Sequence, residues 1–303
     1  MADRRCAHCP GSHTGERSCL ASATTKARSW LLVEHPGPWA ERVEDTDLPG
    51  PVADALRRAG RHGIRAQFIR APGRRRPTPP LWVYTGFSGD TAPDGRPVTA
   101  WLEGRELGDP AELADLDLAA VAAGRRPGFG SPVAGPLLLV CAHGRRNACC
   151  ARTGAPLARA LRERFGEEVW ETTHVGGDRY AANLVCLPHG LYYGDLDEQR
   201  AVTAARAYHR GEVVLDRYRG RAGLPEPVQA AEHFVRAHTG IVSVDGVTVE
   251  SMTADTAVVR AGLGRYRVRV ERVDVGACGP GCTENLGTYV KRDLALLNGA
   301  ALV

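Results

Sequence analysis

The run Pro136-Leu-Leu-Leu-Val140 restricts the fold most, because it passes without a break into Cys141-Ala-His-Gly-Arg-Arg-Asn-Ala-Cys149-Cys150. A strand with no polar alternation is buried on both faces, so it belongs inside a sheet that is covered on both sides. The chemistry-bearing residues start where that strand stops. Beyond the loop, Pro156–Phe165 reads as a helix with Leu157, Ala160, Leu161 and Phe165 on one face. Glu168–Thr172 reads as a strand and His174-Val-Gly-Gly-Asp178 as a second loop. Asn183–Leu187 and Leu191–Tyr193 are strands joined by the turn Pro188-His189-Gly190, and Asp197–Arg210 is a long helix. The expected order is β-α-β-β-β-α.

On either side the pattern changes. Residues 1–23 are polar and rich in Cys and His, and read as an arm. Trp30–Glu34 is a short apolar strand ended by Pro36-Gly37-Pro38; residues 51–60 read as a helix, and Ile64–Arg70 and Leu81–Tyr84 as strands. Gly124–Gly130 has the composition of a linker. After a helix at Pro227–His238, strands are expected at Gly246–Ser251, Ala257–Ala261 and Tyr266–Val273, the last alternating as a sheet with one wet face. The expected architecture is α/β: an arm (1–23), a small α/β domain (24–130), a central α/β domain (131–215) and an α+β region (225–303).

The chain has 303 residues, enough for several cores, and a formal charge of +4 carried almost wholly by arginine, with lysine only at 26 and 291. Arg74-Arg75-Arg76 has no accompanying aromatic platform or nucleic-acid motif, so it reads as a solvated loop and not as a nucleic-acid surface. No stretch approaches the roughly 20 apolar residues of a membrane helix, and the opening residues do not resemble a secretion signal, so a cytoplasmic protein is expected. Nine cysteines then call for a reason other than structural disulfides, and metal or cluster ligation is the better reading where they sit beside glycine and histidine.

The two loops of the central unit each leave the C-terminal end of a strand of one sheet, where ligands in α/β folds collect. The first supplies Cys141, Cys149 and Cys150; the second supplies His174 and Asp178, with Gly176-Gly177 between them. Thiolates suit iron–sulfur clusters or zinc, and imidazole can replace thiolate on one iron.

These residues resemble the sucrase/ferredoxin-like family, whose central unit is a thioredoxin-like 2Fe–2S ferredoxin. The matching runs are Trp30-Leu-Leu-Val-Glu-His-Pro-Gly-Pro-Trp39, Val140–Cys150, Val169-Trp-Glu-Thr-Thr-His-Val-Gly-Gly177 and Leu184-Val-Cys-Leu-Pro-His-Gly-Leu-Tyr-Tyr-Gly194, within a likeness that spans most of 19–290. The resemblance implies a 2Fe–2S cluster with two cysteine ligands from the first loop and two ligands from the second. The family usually has His-x3-His there; this chain has His174 and Asp178, and aspartate is a harder oxygen ligand. Cys150-Ala-Arg-Thr-Gly154 fits the family's Ala-x-x-Gly segment, so Cys141, Cys150, His174 and Asp178 are the implied ligands. Cys149 is a neighbour, and Cys186 is an alternative whose direction the strand period leaves open.

Other motifs carry less. Cys6-Ala-His-Cys9 with His13 and Cys19 has zinc-ligand types but no second well-spaced pair, and Cys278-Gly-Pro-Gly-Cys282 reads as a turn with two thiols. His143 lies inside the first loop, while His189, His209, His233 and His238 read as surface or core. The sequence identifies no pair of carboxyls for the sugar cleavage that the family's name implies. The expected function is an electron carrier or oxidoreductase component, with a redox partner protein, in preference to a stand-alone enzyme. The competing readings are a zinc-stabilised thioredoxin-like binding module and a thiol-dependent oxidoreductase using Cys149 and Cys150.

Overall fold

A computed structural model describes residues 18–73, 79–276 and 286–298. The fully apolar run forms β6 (Leu137–Cys141), buried at every position. Leu138 and Val140 face a core under the helices α3 (Ala155–Phe165) and α4 (Glu198–His209), while Leu137, Leu139 and Cys141 face the other way into a core shared with Trp30, Leu32 and Trp170. β6 runs parallel to β7 (Val169–Thr172) and antiparallel to β8 (Leu184–Leu187), which pairs with β9 (Leu191–Tyr193). The second half of the sheet thus has the order β9-β8-β6-β7, continued at its edge by β10 (Tyr218–Arg221).

The N-terminal half follows the same plan. β1 (Ser29–Glu34), α1 (Gly50–Arg61), β2 (Arg65–Arg70), β3 (Leu81–Phe87), β4 (Trp101–Leu107) and α2 (Leu118–Ala122) follow one another along the chain. β1 is parallel to β2 and antiparallel to β3, and β3 is antiparallel to β4. The order β2-β1-β3-β4 reproduces that of the second half, with helices in corresponding positions. β5 (Ser131–Pro132) is a short edge strand on β4. The two halves meet where β2 and β7 pair antiparallel, Ile69 opposite Thr172 and Arg70 opposite Glu171. The result is one ten-stranded sheet in which β1–β4 and β6–β9 form two four-stranded halves of the same strand order, meeting at the Ile69–Thr172 pair, with β5 and β10 at the outer edges. The β4 and α2 segments have no counterpart in the sequence reading; in β4, Glu103, Arg105 and Glu106 interrupt the strand signal.

Helices pack on one face of this sheet. Val52, Ala55 and Ala59 of α1 bury against Leu31, Val33 and Phe68. The opposite face curls upon itself, bringing Trp30 and Leu32 from the first half against Leu139, Val185 and Tyr192 from the second. The Trp30 indole donates to Ser88 Oγ at 2.7 Å, and Ser88 Oγ donates to the Pro188 carbonyl at 2.5 Å, so a hydrogen-bonded chain crosses between the halves.

The C-terminal region is a four-stranded antiparallel sheet, β11 (Val247–Met252), β12 (Thr256–Ala261), β13 (Gly264–Gly276) and β14 (Leu286–Asn298), under helix α5 (Glu226–Thr239). Val268 and Val270 face α5 while Arg265, Arg267 and Arg269 are exposed, as the alternation predicts. β14 was not expected from the sequence. Cys6, Cys9, His13, Arg74-Arg75-Arg76, Cys278 and Cys282 lie outside the described residues. Among the described residues no helix is long and apolar enough to cross a membrane.

Candidate metal centre

Cys141 is the last residue of β6, and its N–H donates to the Asn183 carbonyl at 3.0 Å, extending the β6–β8 ladder to the edge of the site. The chain then turns, and helical backbone begins before Cys150. The expected loop through Cys150 therefore ends early: Cys150–Gly154 forms a wide helical turn that leads into α3. Gly154 makes this possible. A Cβ there would lie 1.9 Å from the Cys141 carbonyl oxygen, so only glycine lets the turn pack against the strand end. The same turn brings the Cys150 thiol back beside that of Cys141.

The second loop is fixed by its backbone. The His174 N–H donates to His143 Nδ1 at 3.2 Å, and His143 Nε2 lies 2.7 Å from the Ala40 carbonyl. These partners define His143 as the neutral Nε2–H tautomer: one ring nitrogen must accept and the other must donate. Burial lowers the His143 pKa, consistent with that form. Trp39 packs edge-on against the ring at 5.8 Å. Arg65 Nη2 donates to the His174 carbonyl at 3.0 Å. With its backbone held at both N–H and carbonyl, His174 presents its imidazole to the cysteines.

The Sγ atoms of Cys141 and Cys150 and a ring nitrogen of His174 all lie within 4.8 Å of one another, with Cys150 Sγ 3.9 Å from His174 Nδ1. Both thiols are buried, and His174 is partly exposed. The hydrogen bond from Cys150 holds the Cys141 thiol well below its usual range, against the effect of burial and helped by His174. The same hydrogen bond, with burial and the Cys141 charge, pushes Cys150 up. The pair therefore yields one thiolate readily, the form in which sulfur binds metal.

The remaining sequence candidates are placed as follows. Asp178 lies outside the three-residue group; its carboxylate accepts from Asn147 Nδ2, and its charge reaches Cys150. Asn147 Oδ1 also accepts from the Cys149 N–H at 2.8 Å, so this side chain ties the two loops together. Cys149 is buried beside Cys150 without joining the group. Cys186 points into the helix-covered core with Leu138 and Val140, on the opposite face from Cys141, and burial alone raises its pKa. Cys19 is buried against the Tyr218 carbonyl, and burial pushes its thiol up to about 11.

The donor set, two thiols and an imidazole, suits a soft or borderline metal. Tyr192 adds a second observation. It is fully buried in the same core as Cys141 and Cys150, within electrostatic reach of Cys141, and its hydroxyl has no hydrogen-bond partner among the described residues. A buried hydroxyl of this kind fits a site that presents an acceptor to it.

A family model described as sucrase/ferredoxin-like matches residues 20–220. The chain belongs to the sucrase/ferredoxin-like family. The matched span takes in β1–β9 of the large sheet and all three residues of the Cys/His group. The chain is also similar to altered inheritance of mitochondria protein 32 from Meyerozyma guilliermondii, 32% identical over 97 residues, which is 28% of this chain and 34% of that protein. The chain thus spans about a third of the length of that curated relative. No solved structure matches.

Within this family member, sequence reading located the ligand-type residues but not their supports. The Pro-Gly-Pro-Trp39-Ala40 segment acts through contacts with His143 about a hundred residues away. The only signal for it was that this segment and the cysteine loop carry the same family resemblance.

Proposed function

We propose that this protein is an electron carrier or oxidoreductase component holding a 2Fe–2S cluster, with Cys141, Cys150 and His174 as ligands and Asp178, on the same turn as His174, as the fourth. The observation that carries the reading is the convergence of two buried thiols and one half-exposed imidazole at the ends of adjacent parallel strands. Family membership and the β9-β8-β6-β7 order, the connectivity of a thioredoxin-like ferredoxin unit, support it. The cluster, when bound, accepts and releases single electrons.

The chain's own residues do the rest. Cys141 and Cys150 bury the sulfur side of the site away from water. His174 forms its exposed edge and faces a cleft of about 360 Å³ whose charged lining is Lys26, Arg65 and Glu226, two cations against one carboxylate. That cleft is the outlet for electrons, and its cations suit an acidic surface on a redox partner. A neutral imidazole ligand leaves the site less negative than four thiolates would, which raises the potential.

A single zinc ion is the second reading, favoured by one observation. The 3.9 Å from Cys150 Sγ to His174 Nδ1 is near the roughly 3.5 Å edge of a tetrahedral zinc site. Anaerobic purification with metal and sulfide analysis separates the two. Iron with acid-labile sulfide and visible absorption supports the cluster; colourless protein carrying zinc overturns it. Cys141→Ser, Cys150→Ser and His174→Ala are each expected to lose most of the bound iron. Asp178→Ala is expected to keep the sulfur ligation and change the visible spectrum.

A further inference from the structure

Arg219, on β10, is among the largest fully buried side chains at 1% exposure. Its guanidinium donates to Ser22 Oγ at 3.0 Å, the Ser22 carbonyl at 2.5 Å, the Gly176 carbonyl at 3.0 Å and Asn183 Oδ1 at 2.7 Å. All these acceptors are neutral. The rings of Tyr180 and Tyr192 flank it at 5.1 and 5.4 Å. Glycine makes room for it: a Cβ on Gly177 would lie 2.2 Å from Nη2, and one on Gly194 2.8 Å from Cδ. Gly177 also has φ +70°, which side chains rarely adopt. Asn183 Nδ2 donates to the Gly177 carbonyl at 2.9 Å, so Arg219 and Asn183 together clamp the Gly176–Gly177 turn that separates His174 from Asp178. A buried cation with only neutral acceptors is costly unless negative charge lies nearby. Tyr192 lies within electrostatic reach of both Arg219 and Cys141, which links the guanidinium to the thiols through one buried residue.

We infer that Arg219 is a positioning residue that sets the redox potential of the centre: its buried charge favours the reduced state, which is more negative by one electron. The inference rests on the 2Fe–2S reading. Reduction adds one electron from an external one-electron donor, breaks no bond in the protein, and the added negative charge is stabilised by a guanidinium that water does not screen. Arg65 also touches the His174 loop, but it is partly exposed, so its field is weaker.

The test is the midpoint potential of the full-length protein, by dithionite titration with mediators, for wild type, Arg219→Gln, Arg219→Lys, Asn183→Asp and Arg65→Gln. Arg219→Gln removes the charge. Asn183→Asp sets a carboxylate against the guanidinium, at the cost of the Asn183 bond to the Gly177 carbonyl, and serves where Arg219→Gln does not fold. Both are expected to shift the potential negative. Arg219→Lys is expected to stay near wild type, and Arg65→Gln to move less than Arg219→Gln. Potentials unchanged in Arg219→Gln and Asn183→Asp overturn the inference, as does a fall in Arg219→Lys as large as in Arg219→Gln. Wild-type protein without iron and sulfide defeats the cluster reading instead, and the two failures are told apart at the first spectrum.

Discussion

At Gly154 a missing side chain decides whether the site forms. Its Cα sits against the Cys141 carbonyl, and an added methyl would have to push the helical turn away from the strand end. Gly154→Ala is therefore expected to cost about 1–3 kcal/mol, the usual range for overpacking, and to lower metal content in parallel. Urea denaturation and metal analysis on the same sample check both. A stable variant with full metal would show that Cys150 does not depend on this close approach. Residue chemistry was the most legible part of the site. Cys141, Cys150 and His174 carry their identity in short motifs, so their convergence was foreseeable from two loops on neighbouring strands. His143 was not, because its role depends on the Ala40 carbonyl, 103 positions away, and on which ring nitrogen carries its proton. Cys186 could not be oriented from sequence because a four-residue strand flanked by turns leaves the register open; pairing with Leu138 turns it to the helix face.

The elements divide into those set by local pattern and those set by tertiary pairing. The apolar run of β6 and the amphipathic α3 and α4 were readable, as was the cap of α4, where Asp197 Oδ1 accepts the Arg200 N–H at 2.8 Å. β4, β10 and β14 were not, since their polar and charged residues are tolerated only by the partners beside them. Helix α5 shows a further device that periodicity hides. Glu232, buried within it, accepts from Arg236 at 2.9 Å and lies 3.3 Å from Arg221 of β10, which joins the two sheets. Burial opposes the Glu232 charge, but Arg221 and Arg236 outweigh it and hold the carboxyl below its ordinary value of 4.5. A carboxyl depressed in the folded state contributes stability that is complete above its unfolded value and is lost as pH falls through the folded one. Wild type is therefore expected to lose thermal stability on acidification below about pH 4.5, more steeply than Glu232→Gln. At pH 7 that variant, which strands the buried Arg236 and leaves Arg221 with Asp90, should be less stable by roughly 3–5 kcal/mol. Parallel melting curves from pH 7 to pH 3 for the two proteins would contradict this.

For the whole molecule, two similar halves share one sheet, and only the second carries the thiols: Glu34 ends β1 where Cys141 ends β6. This doubling was not legible as a short-period sequence repeat; it lies in the connectivity and strand order that the two halves share. At the His174 cleft two cations, Lys26 and Arg65, outnumber the one carboxylate, Glu226. Oxidation of the reduced protein by the anion ferricyanide should therefore slow as salt is added. Lys26→Glu should slow it several-fold at low salt and flatten that dependence; an unchanged stopped-flow rate would move the electron outlet elsewhere. All of this depends on what the three converging side chains bind. The direct measurement is iron and acid-labile sulfide per chain in anaerobically purified wild type, read with the visible spectrum. The account predicts coloured protein with about two irons and two sulfides per chain. Colourless protein with stoichiometric zinc, or with no metal at all, would contradict it.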